Sequence, residues 1–210
     1  MPELIMSKER HLLLAQLKEK GLLRDFYLAG GTGLALLLRH RWSEDLDFFS
    51  AQEFDSLALV TKLAELGDFT VTRQAEGTVH GFMGKVKVSF LHYPYPLLDE
   101  FECYQGVKIA GLRDIAAMKL VALVQRGTKK DFIDLYCLEK EKFRLEEMIS
   151  LVEKKFEVPN YQTLIIKAWG YFVDAEQEAT PQMFWDISWE EIKAHFLKRQ
   201  RQFVDYYFNR

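Results

Sequence analysis

The apolar positions of this chain change period near residue 112, and that change divides it. Before it, helical and alternating stretches follow one another. Ser7 is placed to cap a helix running to Lys20, with Leu12, Leu13 and Leu17 on its apolar side and Gly21 as its stop. A short apolar strand over 26–29 precedes a nearly wholly apolar helix over 33–40, whose Leu34, Ala35, Leu36, Leu37 and Leu38 predict burial against a sheet. Leu46 and Phe48 then alternate with Asp45 and Asp47, the period of a strand. Leu57, Val60, Leu63, Ala64 and Leu66 predict a helix over 54–67. Alternation returns at 69–72, 86–91 and 107–110, with Gly77 and Gly81 breaking the chain between the first two and Pro94 and Pro96 ending the second. After Leu112 only the helical period remains, over 113–125, 129–139, 144–155, 161–176 and 188–206. Strands first and helices afterwards predict an α+β architecture, with a core domain over 1–111 and a helical C-terminal region over 112–210 packed on it.

Composition narrows the picture modestly. A length of 210 residues suits one sizeable core, or a core with a helical appendage. A net charge of −3 argues against a broad basic face for duplex nucleic acid and leaves room for a local basic patch. Cys103 and Cys137 stand far apart without metal-type spacing, which reads as free thiols in a reducing compartment. The first ten residues lack a basic segment followed by an apolar core, and no run is long enough to cross a membrane, so a cytoplasmic protein is expected.

The candidate chemistry concentrates in one stretch. Gly30-Gly31 ends the strand at 26–29, where missing side chains let backbone N–H groups approach a ligand, and Thr32 opens a helix whose N-terminus favours anions. Asp45 and Asp47, two apart on a strand, project from one face. Their proximity costs Coulomb energy unless a cation sits between them or one is protonated. Such oxygen ligands suit a hard divalent ion, Mg2+ (or Mn2+), held together with a substrate phosphate. Gly-Gly is a common turn and Asp-x-Asp is often only solvated surface; their order and closeness carry the specificity. Arg39-His40-Arg41 places cations at a helix C-terminus, where they complement the dipole, the alternative being that Arg39 or Arg41 faces a phosphate.

Gly30-Gly31-Thr32 followed by Asp45-Leu46-Asp47-Phe48-Phe49 resembles the first motif of the AbiEii/AbiGii toxin family. Ala116-Ala117-Met118-Lys119 and the run Arg126-Gly127-Thr128-Lys129-Lys130-Asp131-Phe132-Ile133-Asp134-Leu135-Tyr136 resemble its later motifs. The resemblance spans 26–138, and the last third of the chain matches only as a generic helical extension. It implies a minimal polymerase-β-type nucleotidyltransferase fold, a mixed sheet with flanking helices. It implies transfer of a nucleoside monophosphate from an NTP to an acceptor hydroxyl, with Asp45 and Asp47 holding the metal. Gly30, Gly31 and Thr32 would cradle the β/γ-phosphates through backbone N–H groups and a hydroxyl, and Lys119 with Arg126 would neutralise phosphate charge. An RNA acceptor such as a tRNA 3′ end, a prokaryotic toxin–antitoxin or phage-defence setting, and a cognate antitoxin partner follow from the same resemblance.

On a helical wheel, Leu112, Ile115, Ala116, Ala122 and Leu123 form an apolar stripe with Lys119 in its middle and Arg126 on the same side. A lysine there snorkels outward or meets an anion. It therefore reads either as a structural lysine, snorkelling or ion-paired, or as a cation aimed at a triphosphate. Asp131 occupies the first turn after Thr128, and Asp134 falls within reach of Lys119 or Arg126. Capping and ion pairing account for each separately; the resemblance adds a supporting role behind the reacting groups. Exposed Lys129 and Lys130 read as solvated or as phosphate contacts.

The chain departs from the family pattern at one place. Nucleotidyltransferases of this fold commonly carry a third carboxylate on a later strand, which completes a two-metal site and activates the attacking hydroxyl. The strand at 87–91 offers Ser89 and no acid. Of the five histidines, His92, just beyond Ser89, is the one singled out for testing against its reading as a solvated strand end. Three readings follow: a nucleotidyltransferase, a catalytically reduced nucleotide- or partner-binding module, and a kinase-like γ-phosphate transferase that would yield NDP. The aromatic tail, from Trp169, Tyr171 and Phe172 through Phe184, Trp185, Trp189, Phe196 and Phe203 to Tyr206, Tyr207 and Phe208, reads mainly as core. Interleaved with Lys193, Lys198, Arg199, Arg201 and Arg210, it reads alternatively as a stacking or partner surface.

Overall fold

Short alternating stretches supply the strands: β1 (Tyr27–Leu28), β2 (Leu46–Ser50), β3 (Phe69–Ala75), β4 (Thr78–Met83), β5 (Val86–His92), β6 (Glu102–Tyr104) and β7 (Val107–Ile109). The computed structural model describes residues 5–208, with side chains through residue 205. Among these, the strands form one sheet in the order β3-β4-β5-β2-β1-β7-β6. The β2–β5 and β1–β7 pairs are parallel and the remaining pairs antiparallel, so the sheet is mixed. The chain divides into two compact units, Met1–Gly111 and Leu112–Arg210, and the sheet belongs to the first.

Register sorts the side chains by face. Leu28, Leu46, Phe48, Val79, Val88, Phe90 and Ile109 share one face and are each at most 1 % exposed. Burying such a side chain is worth about 1.5–3 kcal/mol, so this face anchors the unit. Phe48 stacks on Phe90 at 5.1 Å, and Phe26 meets Phe90 and Phe54 edge-on. Asp47, Ser89, His80, Tyr27 and Phe49 occupy the opposite face.

Among the described residues three helices accompany the sheet: α1 (Lys8–Glu19), α2 (Gly30–Leu38) and α3 (Ser56–Leu66). Asp55 caps α3 by accepting from the N–H groups of Leu57 and Ala58. In α1 the buried stripe is Leu13, Leu14 and Leu17, while Leu12, expected among them, is 56 % exposed. At 100° per residue, Leu12 falls on the far side of the stripe centred on the other three.

Two strands, β4 and β6, escape the sequence pattern. Gly77 does not break the chain but turns it, with φ +61°, between β3 and β4. Gly81 lies inside β4 because a Cβ there would stand 2.6 Å from the Phe69 ring. Gln105 and Gly106, both at positive φ, form the two-residue turn from β6 to β7.

The second unit, among the described residues, has helices and no multi-residue strand: α4 (Leu112–Arg126), α5 (Lys129–Glu141), α6 (Leu145–Phe156), α7 (Gln162–Ala168), α8 (Val173–Glu176) and α9 (Trp189–Phe208). The single helix expected over 161–176 is two, separated around Gly170, where a Cβ would lie 2.5 Å from Gln200. Trp169 and Phe196 are fully buried and Phe203 nearly so, with Trp169 edge-on to Phe203 at 5.0 Å and Phe132 edge-on to Phe196 at 5.3 Å. These tail aromatics are core, whereas Tyr171 is exposed. The side chains of Tyr206, Tyr207 and Phe208, and Arg210, lie outside the described residues. A buried pair, Lys155 on Asp114 at 2.5 Å, ties α6 to the first turn of α4. No helix among the described residues is long and apolar enough to cross a membrane.

Candidate active site

The site begins where β1 becomes α2. The helix starts at Gly30 rather than after the glycines, with Ala29 as its N-cap residue. Its first helical hydrogen bond runs from Gly33 N–H to the Ala29 carbonyl at 3.0 Å. The N–H groups of Gly30, Gly31 and Thr32 therefore belong to the first turn, which has no acceptors of its own and favours an anion. Packing requires both glycines. Gly30 has φ +62°, and a Cβ on it would lie 3.1 Å from Asp47 Oδ2. A Cβ on Gly31 would lie 2.6 Å from Arg41 Nη2. Arg41 is itself buried, its Nη1 donating to the Trp42 carbonyl at 2.9 Å, while Arg39 is an exposed C-cap at φ +53°.

Thr32 corrects one expectation. Its hydroxyl does not face a ligand: the residue is buried, the hydroxyl lies 2.8 Å from Ser43 Oγ, and it donates to the Asp45 carbonyl. Only the backbone N–H of Thr32 remains for an anion. The side chain instead fixes the approach to β2, as does the Ala29 N–H, which donates to the Asp47 carbonyl at 3.0 Å.

Asp45 and Asp47 lie at the start of β2, on the face away from the core. Asp45 is 43 % exposed at its side chain, with Lys87 Nζ 4.0 Å from its Oδ2. Among the described residues no group of three or more His, Cys, Asp or Glu side chains could hold a metal. Two carboxylates make no closed protein cage; they fit a divalent ion that takes its other oxygens from water and phosphate.

The neighbour of Asp47 on β5 is Ser89, and the neighbour of Ser89 on β4 is His80. Ser89 is buried, and its Oγ lies 3.0 Å from His80 Nδ1. Arg73 follows on β3. Asp47, Ser89, His80 and Arg73 thus form one row across four strands. Burial lowers the His80 pKa, Asp47 opposes that, and Arg73 and Lys87 add to it; the net shift is downward. The histidine in this row is therefore His80 and not His92. His92 lies three residues beyond Ser89, on the other face, paired with Ser50 and packed against Gly77. The signal for His80 is the alternation of Val79, Gly81 and Met83 with His80 and Phe82, which reading the glycines as breaks obscures.

The helical unit holds its own charge cluster. Thr128 caps α5, and its hydroxyl donates to Asp131 Oδ2 at 2.6 Å. Lys119 Nζ lies 3.0 Å from Asp131 and 2.6 Å from Asp134, all three side chains being at most 5 % exposed. Arg126 donates to both oxygens of Asp131, at 2.8 and 2.9 Å, and stays 60 % exposed. Burial pushes the Asp131 carboxyl up, but Lys119, Arg126 and Thr128 together outweigh it and bring its pKa to about 2. Lys119, expected to aim at a triphosphate, is thus a buried cation already held by two carboxylates. Of this set, Arg126 has the exposed side chain.

Comparison with known proteins comes to the same fold. The sequence matches the family described as nucleotidyl transferase AbiEii toxin, type IV TA system, over residues 11–96 and 81–209. An uncharacterized protein, aq_aa25, of Aquifex aeolicus strain VF5 is 37% identical over 207 residues, covering 95% of this chain and 98% of its own. JHP933 of Helicobacter pylori superposes with a TM-score of 0.58 at 20% identity, over 94% of this chain and 92% of its own. MenT4, a nucleotidyltransferase toxin of Mycobacterium tuberculosis, superposes with a TM-score of 0.50 at 16% identity, over 91% and 83%. At these identities the two structural likenesses are of fold, a nucleotidyltransferase sheet with flanking helices and a helical C-terminal part.

Proposed function

The chain belongs to the AbiEii nucleotidyl transferase toxin family, and on that premise we propose that it moves a nucleoside monophosphate from an NTP to an acceptor hydroxyl, releasing pyrophosphate. The observation that carries the reading is the contact of Gly30 with Asp47, where a Cβ would lie 3.1 Å from Oδ2. The anion-favouring turn and the paired carboxylates meet at that point. The N–H groups of Gly30, Gly31 and Thr32 bind the β/γ-phosphates, and Asp45 and Asp47 hold Mg2+ or Mn2+. When bound, the ion supplies charge neutralisation for the phosphates. Within the helical unit, Arg126, whose side chain is 60 % exposed, is the candidate for an anion contact, and Asp131 and Asp134 fix Lys119 and the turn into α5. The acceptor is an RNA such as a tRNA 3′ end and the setting a prokaryotic cytoplasm; the partner is a cognate antitoxin, which the family's description as the toxin of a type IV TA system supports.

A second reading, nucleotide or partner binding without turnover, is favoured by Ser89, which stands beside Asp47 where a third acid was expected. One experiment separates them. The protein is incubated with Mg2+, each α-labelled NTP and total tRNA, beside Asp45→Asn and Asp47→Asn. Label on RNA with the parent, lost in both variants, establishes transfer and names the nucleotide. Mg2+-dependent NTP binding that the variants abolish, without transfer or pyrophosphate, leaves the binding module.

A further inference from the structure

Nucleotidyl transfer needs a group to take the proton of the attacking hydroxyl, and the neighbour of Asp47 on β5 is a serine. We propose that His80, oriented through Nδ1 by Ser89, is that group, and that its Nε2 receives the proton. This rests on the transfer reading above.

Strand register brings the groups together. Ser89 lies opposite Asp47 in the parallel β2–β5 pair and opposite His80 in the antiparallel β4–β5 pair. The three side chains therefore stand in one row on one face. A serine leaves space that a larger side chain would fill, and the 3.0 Å separation of His80 Nδ1 from Ser89 Oγ shows that the imidazole turns toward β5. In this row a titratable side chain bonded to Ser89 stands one strand beyond the place a carboxylate on β5 would take.

That contact also bears on the tautomer. If Nδ1–H donates to Ser89 Oγ, Nε2 carries the lone pair and can accept; the reverse arrangement would place the proton on Nε2. The charges facing the ring are Asp47 from β2, Lys87 from β5 and Arg73 from β3. Burial comes first, lowering the pKa; Asp47 opposes it, and the two cations reinforce it, so the ring is neutral at pH 7. A neutral imidazole with a free Nε2 is a competent acceptor.

In the transfer step, the acceptor oxygen forms a bond to the α-phosphorus, and the bond from that phosphorus to the bridging oxygen breaks. The electron pair leaves with pyrophosphate, and the hydroxyl proton passes to Nε2. The imidazolium then returns its proton to solvent.

The test combines a spectrum with kinetics. Histidine 15N NMR of the unmodified protein reads the tautomer without turnover; a neutral Nδ1–H ring at pH 7 is expected for His80. His80→Gln should lower pyrophosphate release by about 10²–10⁴-fold, leaving Mg2+-dependent NTP affinity within about threefold. Ser89→Asp in the His80→Gln background, which puts a carboxylate beside Asp47, should recover at least about tenfold. An Nε2–H or imidazolium ring at pH 7 overturns the inference, as does a His80→Gln variant with undiminished turnover. Should His80→Gln not fold, the spectrum of the parent decides. A parent that binds NTP but releases no pyrophosphate overturns transfer and this step together; an active parent with an equally active His80→Gln overturns this step alone.

Discussion

The two charge clusters of this protein are built on opposite terms. In the sheet unit, Asp45 and Asp47 put like charges side by side on a face away from the core, and Asp45 is 43 % exposed with its lysine only at 4.0 Å. An exposed pair at that distance is worth about 0–1 kcal/mol. In the helical unit, Lys119 sits within 3.0 Å of two fully buried carboxylates, one of which also takes two hydrogen bonds from Arg126. Charges that cancel inside the protein hold a fold together. Under the proposed function, like charges beside the turn into α2 would be met by a cation and a phosphate, and that contrast separates a structural cluster from a candidate site.

The sharpest break of this contrast is at the aspartates. Asp47→Asn should reduce pyrophosphate release by more than about a thousandfold, roughly 4 kcal/mol of barrier, while urea unfolding shifts by less than about 1 kcal/mol. Lys119→Ala should do the reverse. It removes the cation shared by two buried carboxylates and leaves Asp131 to Arg126, so stability falls by about 3–5 kcal/mol in the same unfolding measurement. A Lys119→Ala protein of parental stability that no longer binds NTP would return Lys119 to the phosphate role.

Acid sharpens the comparison further. The Asp131 pKa of about 2 lies below its ordinary value of 3.8. The unfolded chain therefore takes up this proton at higher pH than the folded one. The stabilisation is fully present above about pH 4 and is lost as pH falls through about 2, a change of about 2 kcal/mol. Unfolding followed across that window should show this loss, flattened in Asp131→Asn after allowing for that variant's lower stability. The smallest effect belongs to Thr32→Val, which removes the hydroxyl bound to Ser43 and the Asp45 carbonyl. About 1 kcal/mol of stability should go, with NTP affinity unchanged when titrated calorimetrically, because only the backbone of Thr32 faces the anion.

Much of the site is legible in the sequence. Asp45 and Asp47 share a face because pleating alone puts residues two apart together. Thr128 with Asp131 reads as a helix start because a cap involves neighbours three residues apart. The Lys119 stripe is legible too, but its meaning is not: a wheel shows that a lysine points inward, and only α5 supplies the two carboxylates that meet it. His80 escapes for a related reason. The glycine inside β4 looks like a break because the Phe69 ring that occupies its missing side-chain space comes from another strand.

What the sequence by itself determined is the local part: the switch from alternating to helical period near residue 112, the glycine turn and the aspartate pair. These follow from steric periods of about 2 and 3.6 residues, written within a pleat or a turn. Tertiary structure alone decided which side chain answers which: Thr32 to Ser43, Lys119 to Asp131 and Asp134, and His80 to Ser89. Partners of that kind depend on strand register and long-range burial, and a periodic pattern names a face without naming what will lie against it.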